Sequence, residues 1–290
     1  MKKNNNICEN FNEMPLISVL MCAYNAESYI SDAISSVLEQ SYRHLELIIV
    51  DDGSTDKTLT IAKNIKDERI RLIPCHHDYI SSLNKGLRAC KGFYIARIDA
   101  DDMMLPHRLQ TQVDVMIQNP DIAACFSWAT TFGLAEEAIG NHMSGIIEHA
   151  YFWLLTGNYL IHPTAMIRKD FLLHNRIRYK RYPYAEDYKL WADITRVGGQ
   201  IFMIPEPLLK YRMSQTQVSY VHHAGQSDTR LTIQQEILEE LLSRLRHPTR
   251  VQLLRIYHGL LKLNQATLMQ GDEIIILMYK LLRRTKFFVN

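Results

Sequence analysis

An apolar run, Phe93-Tyr94-Ile95-Ala96-Arg97-Ile98, stops at a cluster of acids, Asp99-Ala100-Asp101-Asp102. Three carboxylates this close repel one another unless a cation or a proton shares the site. Aspartate and alanine are poor strand formers, so the chain turns here, and oxygens converging at a turn suit a hard divalent metal. An Asp-x-Asp pattern alone is a weak signal, because solvated surface turns often carry it. Its company raises it. An earlier apolar run ends in Tyr24-Asn25, another in Asp51-Asp52-Gly53-Ser54, and Glu186-Asp187 precedes Trp191. The acids at 186 and 187 fit two roles, a general base or the favourable charge at a helix amino end.

The elements that must position these residues alternate. Leu16 to Cys22 is apolar but for Ser18, the pattern of a buried parallel strand. Ile30, Ala33, Ile34, Val37 and Leu38 then recur at helical spacing. Leu45 to Val50, Ile70 to Ile73 and Phe93 to Ile98 read as further strands. Between them run two helical stripes, Leu59-Ala62-Ile65, with Ser54 as its cap, and Ile80-Leu83-Leu87-Cys90. Such alternation means crossover units and a mostly parallel sheet with helices on both faces, an α/β fold. Ligands of such sheets bind outside the carboxyl ends of the strands. Tyr24-Asn25, Asp51-Asp52 and Asp99 to Asp102 all fall at those ends.

The second half is less regular. Ile122 to Trp128, Ala165 to Ile167 and Ile201 to Ile204 read as strands, and Asp187 to Val197 as a helix with Leu190, Trp191 and Ile194 inward. From Ser227 the chain is helical to its end in three pieces, punctuated by Pro248 and Gly271. The last piece sets Ile275, Ile276, Tyr279, Leu282 and Phe287-Phe288 among Lys280, Arg283, Arg284 and Lys286. That basic amphipathic pattern suits anionic lipid headgroups or packing on a core or in a dimer.

At 290 residues the chain can bury a sizeable core, and 47% apolar with 22% charged residues is ordinary for a globular protein. A net charge of +2 carries no basic field for nucleic acid. Cys8, Cys22, Cys75, Cys90 and Cys125 form no Cys-x-x-Cys pair and read as reduced thiols of a cytoplasmic protein. The polar start, Met1 to Asn6, is not a signal peptide, and no apolar run approaches the ~18 residues that span a bilayer. A membrane-bound substrate would be met from the water side.

In order and spacing these segments resemble the inverting family 2 glycosyltransferases, in particular the bacterial ones that build lipopolysaccharide and capsule. The matching stretches are Ile17 to Asn25, Val50 to Asp56, Ala96 to Asp102 with Pro106 and Arg108-Leu109, His162 to Arg168, Ala185 to Trp191 and Leu209 to Arg212. Together they cover roughly residues 15 to 220. The resemblance implies a GT-A type nucleotide-sugar-binding fold, a tail over 1–14, a catalytic domain over 15–223 and a helical appendage over 224–290. It also implies a metal-dependent inverting transfer from a UDP-sugar to a saccharide or lipid-linked glycan acceptor of a surface polysaccharide. Peripheral contact with the cytoplasmic face of the inner membrane and homo-oligomerisation both stay open.

By the same resemblance, Asp101 is the ligand of Mn²⁺ or Mg²⁺, with Asp99 assisting and Asp102 capping the next turn. Asp51 and Asp52 clamp the base, with Ala23, Tyr24, Asn25 and Glu27 at the first strand end, and Arg97, Asp99 and Ala100 complete the nucleotide-binding set. Asp187 is the catalytic base, Glu186 its partner, and His162 and Trp191 lie on the acceptor side, although core packing also suits Trp191. No Gly-x-Gly-x-x-Gly or Walker pattern is present, so the phosphates fall to the metal and to Arg97 or Lys85. Relatives often carry a histidine two residues after Tyr211-Arg212, where this chain has Ser214; His222-His223 is the alternative. A phosphatase of the haloacid dehalogenase type also places Asp-x-Asp after a strand, yet it needs a threonine where Met103 stands. A binder that kept the fold without catalysis would have no use for the full set of acids.

Overall fold

Strand β1 (Ile17–Ala23) is buried at every position, as an apolar strand covered on both faces must be. It belongs to a computed structural model that describes residues 14–134, 137–139, 143–214, 223–245, 249–265 and 269–284. The chain divides into two units, the first made of Met1–Ile146, Ile161–Arg178 and Ile201–Ser214, the second of the rest.

In the first unit β1 lies between β2 (Leu45–Asp51) and β4 (Tyr94–Asp99), and β3 (Ile70–Pro74) pairs with β2, all in parallel. Helices α1 (Ile30–Leu38), α2 (Thr58–Asn64) and α3 (Tyr79–Ala89) make the crossovers. The apolar stripe of α1, Ile30, Ala33, Ile34 and Val37, is buried. Helix α3 packs closely on the sheet at Gly86, where a Cβ would meet Leu20 Cδ1 at 2.3 Å and displace that side chain. Ser54 does not cap the second helix as expected. Thr58 N donates instead to Asp56 Oδ1 at 2.9 Å, and Ser54 Oγ accepts from Asn25 N at 3.0 Å.

Beyond β4 the sheet turns mixed. Strands β5 (Met103–Met104), β6 (Ile122–Gly133), β7 (Ala138–Ile139), β8 (Gly145–Ile146), β9 (Met166–Arg168) and β10 (Gln200–Met213) complete the order β3-β2-β1-β4-β9-β6-β10-β5, with β7 on β6 and β8 on β10. The pairs β4–β9, β9–β6 and β10–β5 are antiparallel. Helix α4 (Arg108–Gln118) buries Leu109, Val113 and Met116. Strand β10 runs past Ile204, where the sequence ended it at Pro205. Pro205 and Pro207 stand two apart, so their missing N–H groups fall on one edge and the chain stays extended.

The second unit contains α5 (Ala150–Trp153), α7 (Glu186–Arg196), α8 (His223–Arg244), α9 (Thr249–Gln265) and α10 (Gly271–Arg283), α6 (Lys169–His174) being in the first. Two segments before residue 223, 147–160 and 179–200, thus share a unit with the terminal helices. Trp191, Ile194, Leu154, Ile237, Leu241 and Met278 are among its buried residues. Lys189 Nζ sits 3.2 Å from Asp193 Oδ1 and 2.7 Å from Glu236 Oε2, joining α7 to α8. In α10, Ile275 and Leu282 are buried and the Tyr279 ring stacks on Phe152 with centroids 4.6 Å apart. Those residues of its apolar face pack inside their own unit, while Ile276 is 53% exposed; Lys286 and Phe287-Phe288 lie outside the described residues. No helix among the described residues is long and apolar enough to cross a membrane.

Candidate active site

The parallel register sets the geometry. Ala23 of β1 lies opposite Asp51 of β2 and Cys22 opposite Asp99 of β4, so three strand ends finish at nearly one level. Asp52 N donates to Ala23 O at 2.8 Å and ties the second end to the first.

Asp51 and Asp52 play different parts. Both are buried, but Asp51 Oδ1 meets no hydrogen-bond partner among the described residues. A buried carboxylate oxygen without a donor is costly unless a ligand, a water or a proton satisfies it. Asp52 Oδ1 accepts from Asp78 N at 2.9 Å and from Ser82 Oγ at 2.6 Å. Its Oδ2, 3.0 Å from His77 Nδ1, makes no hydrogen bond among the described residues, His77 Nδ1 bonding the Asp52 carbonyl at 3.1 Å. The His77 ring stacks on Tyr24 at 4.1 Å between centroids, while Tyr24 remains 47% exposed and open to a flat ligand. Asn25 adopts a left-handed φ of 48° and accepts from Thr55 N at 2.9 Å through Oδ1. Glu27 Oε2 accepts from Lys57 N at 2.9 Å, which engages at the start of α2 a carboxylate expected in the nucleotide pocket.

At the third strand end, buried Arg97 donates to Asp99 Oδ1 at 2.8 Å, to the Tyr79 hydroxyl at 3.2 Å and to the Leu20 and Ile98 carbonyls. Ala100 is buried and Asp99 half-buried. Burial, then the charge of Asp99, pushes the Asp101 carboxyl up to about 6, with Arg212 and Arg97 pulling the other way. Burial and the charges of Asp99 and Asp101 raise Asp102 well above the usual carboxylate range. Asp102 does not cap a following turn. Its Oδ1 accepts from Arg212 N of β10 at 2.8 Å, and its Oδ2 meets no partner among the described residues. His162 opens the short 3-10 turn His162–Thr164, where burial and the Arg97 charge hold its imidazole well below the usual range. Lys85 Nζ donates to Pro74 O at 3.2 Å, in a groove of about 450 Å³ shared with Arg71 and Arg88 along β3.

This donor set fits a hard divalent cation. It offers oxygens only, and burial with neighbouring charge keeps Asp101 protonated up to about pH 6, a penalty that a divalent charge removes. Among the described residues no three His, Cys, Asp or Glu side chains converge on one point. Asp101 and Asp99 are the residues that would hold such an ion. His222 and the side chain of His223 lie outside the described residues.

In the second unit, Glu186 and Asp187 occupy the first turn of α7, where the helix dipole favours acids. Asn158 Nδ2 donates to Asp187 Oδ2 at 2.9 Å and fixes that carboxylate. Trp191 has no exposed surface, so it packs in the core of its unit instead of lining an open pocket. Asn158, His77 and Ser82 carry no sequence signal of their own. Arg212 does stand in a matching stretch, but nothing in the sequence shows that it reaches Asp101 and Asp102.

Parallel strands that present acids at their carboxyl ends, followed by an antiparallel half-sheet, define a nucleotide-sugar-binding fold of the GT-A type. The crystal structure of S. aureus TarS 1-349 in complex with UDP-GlcNAc has that architecture, with a TM-score of 0.65 at 17% identity over 81% of this chain and 69% of that one. The chain belongs to glycosyl transferase family 2, whose profile matches residues 18–176, and it is a glycosyltransferase. It is 36% identical over 269 residues to an uncharacterized glycosyltransferase of Haemophilus influenzae, covering 84% of this chain and 81% of that protein. It is also 30% identical over 212 residues to the Escherichia coli UDP-Glc:alpha-D-GlcNAc-diphosphoundecaprenol beta-1,3-glucosyltransferase WfgD, covering 70% of this chain and 79% of WfgD.

Proposed function

We propose that this glycosyltransferase moves a sugar from a UDP-sugar to a saccharide acceptor of a bacterial surface polysaccharide, with inversion at the anomeric carbon. The observation that carries the reading is the alignment of Asp51 with Ala23 and of Asp99 with Cys22, which brings the unpartnered Asp51 Oδ1 and the Asp101 turn to the same end of the sheet. Uracil has an imide N–H that Asp51 can accept and a flat ring that suits the exposed face of Tyr24. The UDP-GlcNAc bound by TarS and the UDP-glucose named for WfgD agree with that choice.

A divalent cation held by Asp101 and Asp99 would supply positive charge to the diphosphate as it leaves. Arg97, itself bonded to Asp99, keeps that carboxylate oriented. Asp187 takes the proton of the acceptor hydroxyl while the hydroxyl oxygen bonds to the anomeric carbon and the bond to the diphosphate breaks on the opposite face. Glu186 stands beside it at the start of α7, and His162 stays neutral near pH 7. A lipid-linked acceptor such as the one named for WfgD would be met from the aqueous, cytoplasmic side of the membrane.

The test is a panel of UDP-, GDP- and dTDP-sugars with Mn²⁺ or Mg²⁺, read as release of the nucleoside diphosphate and its stimulation by saccharide acceptors. Release from a UDP-sugar alone supports the reading. Selective release from a GDP- or dTDP-sugar removes the uracil assignment.

A further inference from the structure

The guanidinium of Arg212 lies between segments far apart in the sequence. Its Nε donates to the Asp101 carbonyl at 2.9 Å, and its own backbone N donates to Asp102 Oδ1 at 2.8 Å. One residue of β10 therefore grips the acidic turn at two successive positions. The guanidinium carbon also sits 4.2 Å from the centroid of the Tyr29 ring and 4.3 Å from that of Phe132. Tyr29 precedes α1 at the first strand end, and Phe132 lies near the end of β6. The ends of β6 and β10 are pressed together at Gly133, where φ is +99° and a Cβ would meet Met213 O at 2.7 Å. No other residue type fits there, so Phe132 is delivered to Arg212 by backbone geometry.

We propose that Arg212 is a positioning residue for the donor site, holding the Asp99 to Asp102 turn in its ligand-ready shape through a planar cation seated against two rings. This rests on the metal-dependent reading of that turn. Three features point to positioning by shape and not by charge alone. The bond to Asp101 goes to its carbonyl and leaves the carboxylate for other partners. The Arg212 contact with Asp102 is made by backbone, which any residue at 212 would keep. The two rings reward a flat, weakly hydrated cation, which arginine has and lysine lacks. Fixing the peptide that carries Asp101 fixes where its carboxylate can point, as groups behind metal ligands commonly do.

The experiment compares the full chain with Arg212→Lys, Arg212→Met, Tyr29→Leu and the Tyr29→Leu/Arg212→Met double variant, each first shown to melt cooperatively. Amide hydrogen exchange over residues 99–104 is read without any ligand. Both Arg212 variants are expected to exchange roughly tenfold faster there, with β1 and β2 unchanged. Tyr29→Leu should accelerate the same segment, and the double variant should add little to Arg212→Met, because both changes break one clamp. The Mn²⁺ concentration for half-maximal UDP binding should rise roughly 10- to 100-fold in both Arg212 variants. Unchanged exchange in Arg212→Met, or full rescue by lysine, overturns the proposal. If wild type binds no UDP with Mn²⁺, the donor reading fails, while the exchange data still decide the role of Arg212.

Discussion

Ser82 and Asp52 stand 30 residues apart, yet Ser82 Oγ donates to Asp52 Oδ1 at 2.6 Å inside the protein. With Asp78 N on the same oxygen, Oδ1 of Asp52 fastens β2 to α3. Asp52 Oδ2 and Asp51 Oδ1 are both buried without a hydrogen-bond partner among the described residues, and the proposed ligand contact is that of Asp51. Paired substitutions separate the two roles. Asp52→Ala strands buried donors and should cost on the order of 1 to 3 kcal/mol of stability, read by urea unfolding. Asp51→Ala removes an oxygen with no internal partner and should leave stability near wild type while weakening UDP binding by roughly tenfold or more. Equal loss of UDP affinity in the two variants, at equal stability, would dissolve the distinction.

Asp101 governs the second prediction. Calorimetry of wild type should show tighter UDP binding with Mn²⁺ than with a chelator, and Asp101→Ala should erase that difference. The cation effect should also grow as pH rises through about 6, since the raised Asp101 carboxyl must lose its proton to act as a ligand. Cation-independent UDP affinity in wild type at pH 7 would remove Asp101 from the donor site.

The parallel half of the sheet is legible because β1, β2 and β4 are mostly apolar and end in, or run directly into, polar residues. The acids at those ends were legible for the same reason. What escaped is whatever depends on distant packing. Asp51 and Asp52 are neighbours of one residue type, and only Ser82 and Asp78 on and before α3 tell them apart. Strand β10 continues through two prolines that local rules treat as a stop. The amphipathic pattern of α10 was correctly seen, but a periodic face does not say what covers it. Here Phe152, from a segment more than a hundred residues earlier, stacks on Tyr279.

His162 gives a pH signature. Burial and the Arg97 charge hold its folded pKa well below 6.5, so folding favours the neutral ring. A lowered folded pKa contributes stability that is present above the unfolded value near 6.5 and lost as pH falls below it. The loss should be up to about 1.4 kcal/mol per pH unit until the folded pKa is reached. His162→Gln cannot take up the proton, so its stability should fall less than that of wild type between pH 7 and pH 5. Parallel pH profiles in chemical denaturation would show that the imidazole titrates alike in both states.

Asp187 carries the most demanding prediction. Asn158 donates to its Oδ2, and the first turn of α7 favours an acid there, so the carboxylate of the proposed base is held in place. With an unperturbed pKa of ~3.9 an aspartate is a weak base for an alcohol in water. In the proposed reaction it would serve because the hydroxyl becomes acidic only as its oxygen bonds to the anomeric carbon. Asp187→Asn keeps the shape and removes the base, and should lower turnover by on the order of 10² to 10⁴ with UDP affinity nearly unchanged. Asn158→Ala keeps the base and loosens its aim, and should cost on the order of 10- to 10²-fold. The split between turnover and donor affinity is the decisive readout, since a damaged fold would lower both. An α-linked donor should give a β-linked product, assigned by NMR of the purified saccharide. Near wild-type transfer by Asp187→Asn would remove the base from this position, and an α-linked product would remove the inverting displacement with it.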